Sequence, residues 1–588
     1  MATSNEFEIK TRLVEVTDKK TGVKYIEERT YRYDPVKKYN IQLSSHRTGR
    51  KIMPDGTEVN CRPKKRSTGS KEPPVSATRN RVGATDLLNY IGKLFKIDSS
   101  VANAYPNGGT AQKLLSVAQY LVITGEPVHK IDSWQVNHTV PYEEGLSEDI
   151  CYKLFEELGL NESGMQSLFQ EFSHIAGKER QQGIAFDSTS HSSYSKGCKP
   201  FTCQGFNKDG DGLDIYKVLS FFSLDSGLPI SFELQKGNIP DMSSLLNAIK
   251  RAKSYGLHNP ELVFDNGFFS KKNICLLLRN NIKFTVLGTL TDKWVLTHFD
   301  DETDEQGISL RQTINNYSNR CPFDSEVYGL TRSAMTNFTW ERQKKRGDKQ
   351  VGDIEQHEYR LYYHYFKNER LAADQRKTLH DTLSKIEEAL NYGFDLTDAQ
   401  QNIANECFTV TRNKYGKINV TPNNEAINER EKNLGLFVLI TNKNKTAWEA
   451  LKTYRQRNDI EESYRIIKTS LDGKRTREWS PEHSRGKEVC RHVALAYKFG
   501  LLRVLKWAQE EAERRKDDTA SYKASERNLY EKLSKWLKQN SSEQVLAWFD
   551  CIEDVTVKNK RSEHRWSSES TRRDQLFLQL LDEKTDWV

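Results

Sequence analysis

The sequence lacks any run approaching the ~18 apolar residues that a membrane span needs. Its hydrophobic content is 36% against 29% charged, which describes a soluble, rather polar protein with no membrane partner. The N-terminal stretch "MATSNEFEIKTRLVEV" lacks the basic-then-apolar pattern of a signal peptide, so a cytoplasmic location is expected. Cysteine is sparse: nine in 588 residues, with Cys198 and Cys203 the only close pair. No second Cys/His pair stands at zinc-finger spacing, which argues against a structural zinc. Free, mostly buried thiols in a reducing compartment are expected instead. Internal repeats are also missing, which argues against a solenoid.

What is present begins with charge. The net charge is +8, and residues 1–80 hold 18 Lys and Arg against 10 Asp and Glu, so the remaining chain sums to zero. The excess sits on an N-terminal arm (1–60) with short strands around "KYIEERTYRYD", followed by a basic linker (61–82), "CRPKKRSTGSKEPPVSATRN". Basic arms of this kind track phosphate backbones; charge alone fits a solvated tail equally well.

Residues 83–180 carry four segments with helical spacing, such as "TAQKLLSVAQYLVITG", bounded by Ser/Thr/Asp starts or Gly stops. They form an expected helical domain, a candidate for binding DNA ends; countless helical bundles look the same, and no sharp recognition-helix signature is visible. From 181 to 290 the texture changes. "GIAFDSTS" is a strand carrying Asp187, and "GLDIYKVLSFFSLDSGLPISFELQKGN" is a hairpin turning at "DSG". "ELVFDNGFF" is a strand ending at Asp265, and Ser270 is a plausible N-cap for the helix that follows. The order strand, strand, strand, helix, strand, helix, strand resembles the ribonuclease H-like fold, a mixed α/β sheet flanked by helices. In that fold the first strand and the end of the fourth carry catalytic acids, the places of Asp187 and Asp265. Residues 291–434 look like a β-rich insertion with one helix inside, 435–515 like the second part of the core, and 516–588 like a helical C-terminal region.

Within the second part, "YRQRNDIEESYRIIK" places Tyr454, Arg457, Glu461 and Lys468 on one narrow stripe if it is helical, since each residue turns about 100°. Alone, the stripe is better read as an amphipathic helix with ion pairs on its polar face. With Asp187 and Asp265 it gains a reason. Three gathered carboxylates repel one another, and divalent cations remove that penalty. Hard oxygen ligands suit Mg²⁺ or Mn²⁺. Two such ions about 3.5–4 Å apart would serve an in-line phosphoryl transfer.

The Tyr-x2-Arg-x3-Glu-x6-Lys spacing resembles the signature of one group of DDE transposases from bacterial insertion sequences. "FDSTSHSSYS" resembles the family's first-aspartate segment, "GNIPDMSSLL" (Gly237, Asn238, Asp241) its Gly-Asn-x-x-Asp turn, and "VFDNGFFSKKNI" its second-aspartate segment. The strand-helix run "YRLYYHYFKNERLAADQRKTL" resembles the insertion of longer members. The likeness covers about 180–500.

It implies a metal-dependent enzyme that binds terminal inverted repeats of double-stranded DNA, cleaves them, and joins them to target DNA, by cut and paste. Asp187, Asp265 and Glu461 would be catalytic and bind two metal ions. Tyr454 and Arg457 would hold phosphates of the transposon end, and Lys468 would lie near the cleaved end. Trp340, with Trp294 behind it, is the candidate for stabilising a DNA hairpin; an ordinary packed tryptophan is as good a reading. A homodimer in a synaptic complex and a bacterial, nucleoid-associated location also follow. The alternatives are a non-mobile metal-dependent nuclease on the same fold and a domesticated DNA-binding protein. Three nearby residues are read as bystanders: His191 as a surface polar residue as readily as a metal neighbour, His492 as a satisfied core histidine, and Asn266 as a turn residue.

Overall fold

The computed structural model describes residues 9–34, 37–60, 76–176, 183–205, 210–239, 241–256, 260–303, 307–341, 352–412, 418–457, 475–558, 562–584 and 587. The chain forms two compact units, residues 1–78 with 556–565, and residues 79–555 with 566–588.

In the first unit, β1 (Ile9–Thr17), β2 (Lys24–Asp34), β3 (Tyr39–Ile52) and β4 (Glu58–Asn60) pair in that order, each antiparallel to the next. The short strands expected for the basic arm are 9, 11 and 14 residues long in β1 to β3. Cross-strand partners account for the length: Lys24 pairs with Glu15 at 3.2 Å, and Ser45 donates to Glu27. Such pairs favour extended pairing even where a strand faces water on both sides. The end of the expected linker is also ordered, as β5 (Ser76–Arg81); residues 61–75 of it lie outside the described residues.

The second unit opens with α1 (Gly83–Leu94), α2 (Ile97–Ala104), α3 (Thr110–Thr124), α4 (Ile131–Gln135), α5 (Glu148–Leu160) and α6 (Glu162–Ala176). These helices do not close a core by themselves. Their apolar faces join one hydrophobic cluster with the later helix Pro481–Asp517 and with one face of the central sheet. The α5 crossing depends on two glycines. A Cβ at Gly159 would lie 1.9 Å from the Glu482 carbonyl oxygen, and one at Gly486 would lie 1.8 Å from that of Phe155.

The central sheet begins with β6 (Gly183–Ser193), β7 (Asp214–Ser223), β8 (Pro229–Lys236), α7 (Asp241–Ser254), β9 (Glu261–Phe264), α8 (Lys271–Arg279) and β10 (Lys283–Gly288). Ser270 caps α8, accepting from the Asn273 N–H. The chain continues through α9 (Lys293–Asp300), α10 (Leu310–Thr313), β11 (Arg320–Cys321), β12 (Asp324–Glu341), β13 (Ile354–Asn368), α11 (Glu369–Tyr392), α12 (Asp398–Cys407), β14 (Phe408–Arg412), β15 (Ile418–Pro422) and α13 (Asn424–Glu431). It returns to the sheet at β16 (Leu436–Thr441), then α14 (Ala447–Arg455) and β17 (Arg475–Thr476). It ends in α15 (Pro481–Asp517), α16 (Ala524–Gln539), α17 (Ser542–Phe549), β18 (Glu553–Lys558), β19 (Glu563–Ser567) and α18 (Arg572–Glu583).

Spatially the strands run β11-β12-β13-β16-β10-β9-β6-β7-β8, with β17 also beside β6. The β6–β9 and β9–β10 pairs are parallel, while β7 and β8 are antiparallel additions. Alternation along β6 sends Ile184 and Phe186 to one core and Ala185 to the other, as a sheet covered on both faces requires.

The segment 291–434 differs from a β-rich insertion in two ways. It is mixed, with five helices among its described residues, and α11, α12 and their neighbours keep a small core of their own around Leu383, Ile386 and Phe408. Its long strands β12 and β13 extend the central sheet, because β13 pairs along β16. The C-terminal region likewise includes β18 and β19 beside its helices. No helix among the described residues is long and apolar enough to cross a membrane. Every described cysteine is a free thiol, and most are buried.

Candidate active site

The register between β6 and β9 decides the geometry. Phe186 stands opposite Phe264, so the next residues, Asp187 and Asp265, emerge side by side. β9 stops there, while β6 runs on and meets β17 at Ser192 and Ser193. Two parallel strands thus part at the carboxyl end of one of them, where open α/β sheets hold their ligands. Each aspartate also accepts the backbone N–H of the residue that follows it, Ser188 or Asn266, at 2.7 Å. Asp265 thereby caps the single turn Asn266–Phe268.

Helix α14 brings the other side chains. Thr446 and Glu449 form a capping box at its start. The helix ends at Arg455, and Arg457 follows in a tighter turn in which its N–H meets the Tyr454 carbonyl at 3.0 Å. Tyr454 and Arg457, the two described members of the expected stripe, thus turn the same way, and the buried guanidinium reaches two carboxylates. Arg457 Nη1 lies 3.1 Å from Asp187 and Nη2 lies 3.5 Å from Asp265. The Tyr454 hydroxyl donates to Asp265 at 3.2 Å. Burial pushes the Tyr454 phenol above its ordinary value, and Asp265 adds to this against an opposing Arg457. The phenol therefore stays protonated and remains a donor. Glu461 and Lys468 lie outside the described residues, as does the Asp241 side chain.

Among the described residues, two carboxylates here engage one guanidinium. Both aspartates already reach a common cation, so a divalent ion at that place would meet hard oxygen donors from each. The donor set fits Mg²⁺ or Mn²⁺ and offers no soft ligand that would favour another metal. Among the described residues no three His, Cys, Asp or Glu side chains gather for a metal.

The remaining residues divide clearly. Asn266 is a turn residue, accepting from the Thr289 hydroxyl at 2.8 Å. His492 is a core histidine packed against Phe169, Phe172 and Phe232, and burial pushes it down to about 3. His191 is fully buried, so a surface role is corrected: it stacks on Tyr216 at 5.4 Å, because β6 is covered on both faces. Tyr216 donates to Glu488, which pairs with Arg491, and Lys487 pairs with Glu478 at 2.8 Å. Burial would raise the Glu488 carboxyl, but Arg491 and His191 hold it below its ordinary value. Sequence reasoning missed this buried network beside β6. Its signal was the set of charges inside the otherwise apolar "GKEVCRHVALAY". Trp294 packs against Phe269 and Phe338 in the core. Trp340, on β12, stacks on His357 at 4.2 Å and makes no described contact with the aspartates.

The family model of the transposase DDE domain matches residues 178–487, more than half of the chain and every element named above from β6 to the start of α15. The chain belongs to the DDE transposase family. Among solved structures, this DDE transposase is similar to a piggyBac transposase synaptic complex with hairpin DNA, at 11% identity and a TM-score of 0.30, over 71% of this chain and 76% of that one. No curated protein matches it.

Proposed function

We propose that this DDE transposase is encoded by a bacterial insertion sequence. In this reading it binds terminal inverted repeats as a synaptic homodimer, and cuts and rejoins double-stranded DNA on a ribonuclease H-like core by cut and paste. The observation that carries the reading is the convergence of Asp187 and Asp265 at the end of β9, where both engage Arg457. The strand order β8-β7-β6-β9-β10, with β6, β9 and β10 parallel, supports the ribonuclease H-like assignment.

Asp187, Asp265 and Glu461 would hold two divalent ions, Mg²⁺ or Mn²⁺. Bound there, the ions would supply Lewis acidity at the scissile phosphate and its attacking hydroxyl. The protein's own groups supply position and charge. Arg457 keeps the two carboxylates together and presents a planar cation that suits phosphate oxygens. Tyr454, kept protonated, donates from the same side, and Lys468 would lie near the cleaved end. Trp340 stays a candidate for DNA contact in the insertion.

The test is cleavage and strand transfer on a duplex of the DNA that flanks the coding sequence, in Mg²⁺ or Mn²⁺. Asp187→Ala, Asp265→Ala and Glu461→Gln should each abolish both products while binding persists. Cleavage unchanged in all three variants would overturn the reading. Cleavage without strand transfer would favour a non-mobile nuclease.

A further inference from the structure

A groove of about 770 Å³ opens between α8 and the end of β12. Its floor includes Phe338 and Trp340, and its α8 wall carries Lys271, Lys272 and Arg279. Lys272 and Arg279 are seven residues apart, which places them on one helix face about 10 Å from each other. The groove starts close to the catalytic pair, since Asp265 caps the turn Asn266–Phe268 and Ser270 then caps α8.

Three features distinguish these cations from an ordinary solvated helix face. First, among the described residues no carboxylate lies within ion-pairing distance of them, whereas Arg311 and Arg455 on neighbouring elements are paired with Asp300 and Asp324. Glu341 also borders the groove and pairs with none of the three. Second, rings hold two of them without neutralising them. The Lys271 ammonium lies 5.9 Å from the Trp294 ring and 5.8 Å from that of Phe338, and the Arg279 guanidinium lies 6.0 Å from that of Trp340. A ring face fixes a cation by its quadrupole and leaves the full positive charge for an outside anion. Third, Lys271 and Lys272 stand in the first turn of α8, where the backbone's partial positive charge makes a cation the less stable choice. Folding stability therefore does not account for this placement.

We propose that this groove binds the phosphate backbone of a DNA strand on its way to or from the aspartates, with Lys271, Lys272 and Arg279 as the phosphate contacts. The inference rests on the reading of the chain as a DNA-cutting enzyme and adds a second DNA surface outside the Tyr454–Arg457 side. A groove of this volume takes nucleotide-sized ligands, and cations spread over about 10 Å span more than a single phosphate. Trp340 then serves as a wall that steadies Arg279.

The experiment measures binding of the full chain to a labelled duplex of the flanking DNA by fluorescence anisotropy over a series of salt concentrations, without divalent ions. The triple variant Lys271→Gln, Lys272→Gln, Arg279→Gln should flatten the dependence of log Kd on log salt by about 0.9 for each lost contact. Its affinity at low salt should fall at least about tenfold, in line with the loss of several phosphate contacts. The charge-keeping variant Lys271→Arg, Lys272→Arg should retain the wild-type slope. Lys272 is exposed and touches no ring, so Lys272→Gln alone tests the same point in a chain whose folding is undisturbed. If the wild type binds the duplex and both the triple and the single Gln variants keep its slope and affinity, the groove assignment is overturned while the DNA-cutting reading stands. A wild type that binds no duplex overturns both.

Discussion

The two ends of β9 each carry a carboxylate facing cations, and they are built to opposite plans. At the start, Glu261 is 7% exposed at its side chain and fully engaged: Lys443 lies at 2.8 Å, Lys445 at 2.5 Å, and the Thr285 hydroxyl at 2.8 Å. At the finish, Asp265 is 38% exposed and meets Arg457 only at 3.5 Å. Burial would raise the Glu261 carboxyl, yet the two lysines hold it below its ordinary value. One end is a closed ion cluster that ties β9 to β10 and to the chain after β16. The other sets the partly exposed Asp265 beside a buried Asp187, with Arg457 between them. Three residues of one strand thus separate a group that serves the fold from the proposed catalytic Asp265.

The sharpest way to break this comparison is to exchange the consequences. Asp265→Ala should lower DNA cleavage by about a thousandfold or more, the scale lost when a group acting in the transition state is removed. It should leave thermal stability nearly unchanged, because the side chain is well solvated. Glu261→Ala should do the reverse. It leaves two largely buried lysines without their counter-ion, a change that costs about 3–5 kcal/mol, while the fraction that stays folded cleaves DNA normally. Denaturant unfolding and single-turnover cleavage on the same preparations decide the matter. A Glu261→Ala protein of wild-type stability would remove the structural half of the contrast.

A subtler test concerns Arg457, which stands where a shared cation would bind. Arg457→Ala removes the guanidinium that both Asp187 and Asp265 engage, so the divalent-free protein should be destabilised. Added Mg²⁺ should then raise its melting temperature more than that of the wild type. A ligand at a hundred times its Kd contributes about 2.7 kcal/mol, enough to separate the two curves. Equal shifts would mean that the ions do not use this pair of acids.

Much of this site was legible in the sequence, and the reasons are local. "GIAFD" and "ELVFD" are apolar runs that end in an acid, and both faces of such strands are buried only in a covered sheet. The approximate placement of Tyr454 and Arg457 also followed from helix geometry. Their partners did not, since a helical wheel cannot know which carboxylates, some 190 to 270 residues earlier, a hydroxyl and a guanidinium will meet. His191 was left open between the surface and the metals because "FDSTSHSS" is polar, whereas β17 pairs along that half of β6 and Glu488 of α15 interacts with His191. Strand partners were the least legible feature of all. Nothing in "YRLYYHYF" states that it will pair with "LGLFVLITN" some 75 residues later and so extend the central sheet rather than found a second one.

The smallest expected effect lies at the structural end of β9. His364, on β13, is completely buried and shares a hydrogen bond of 2.8 Å with the Thr331 hydroxyl. Burial, with help from the Lys445 charge and against Glu449, pushes its imidazole from 6.5 down to about 4. The unfolded chain therefore binds the proton first as pH falls. The stabilisation is complete above about pH 6.5 and is lost progressively towards pH 4, at a limiting slope of about 1.4 kcal/mol per pH unit. His364→Gln should flatten that part of the stability curve by about 1 kcal/mol per pH unit while leaving the His492 contribution in place. The check is chemical denaturation of both proteins at several pH values between 4.5 and 7. Two parallel curves would mean that His364 is already solvated, and that the Glu261–Lys445 end of the strand is less tightly closed than its contacts imply.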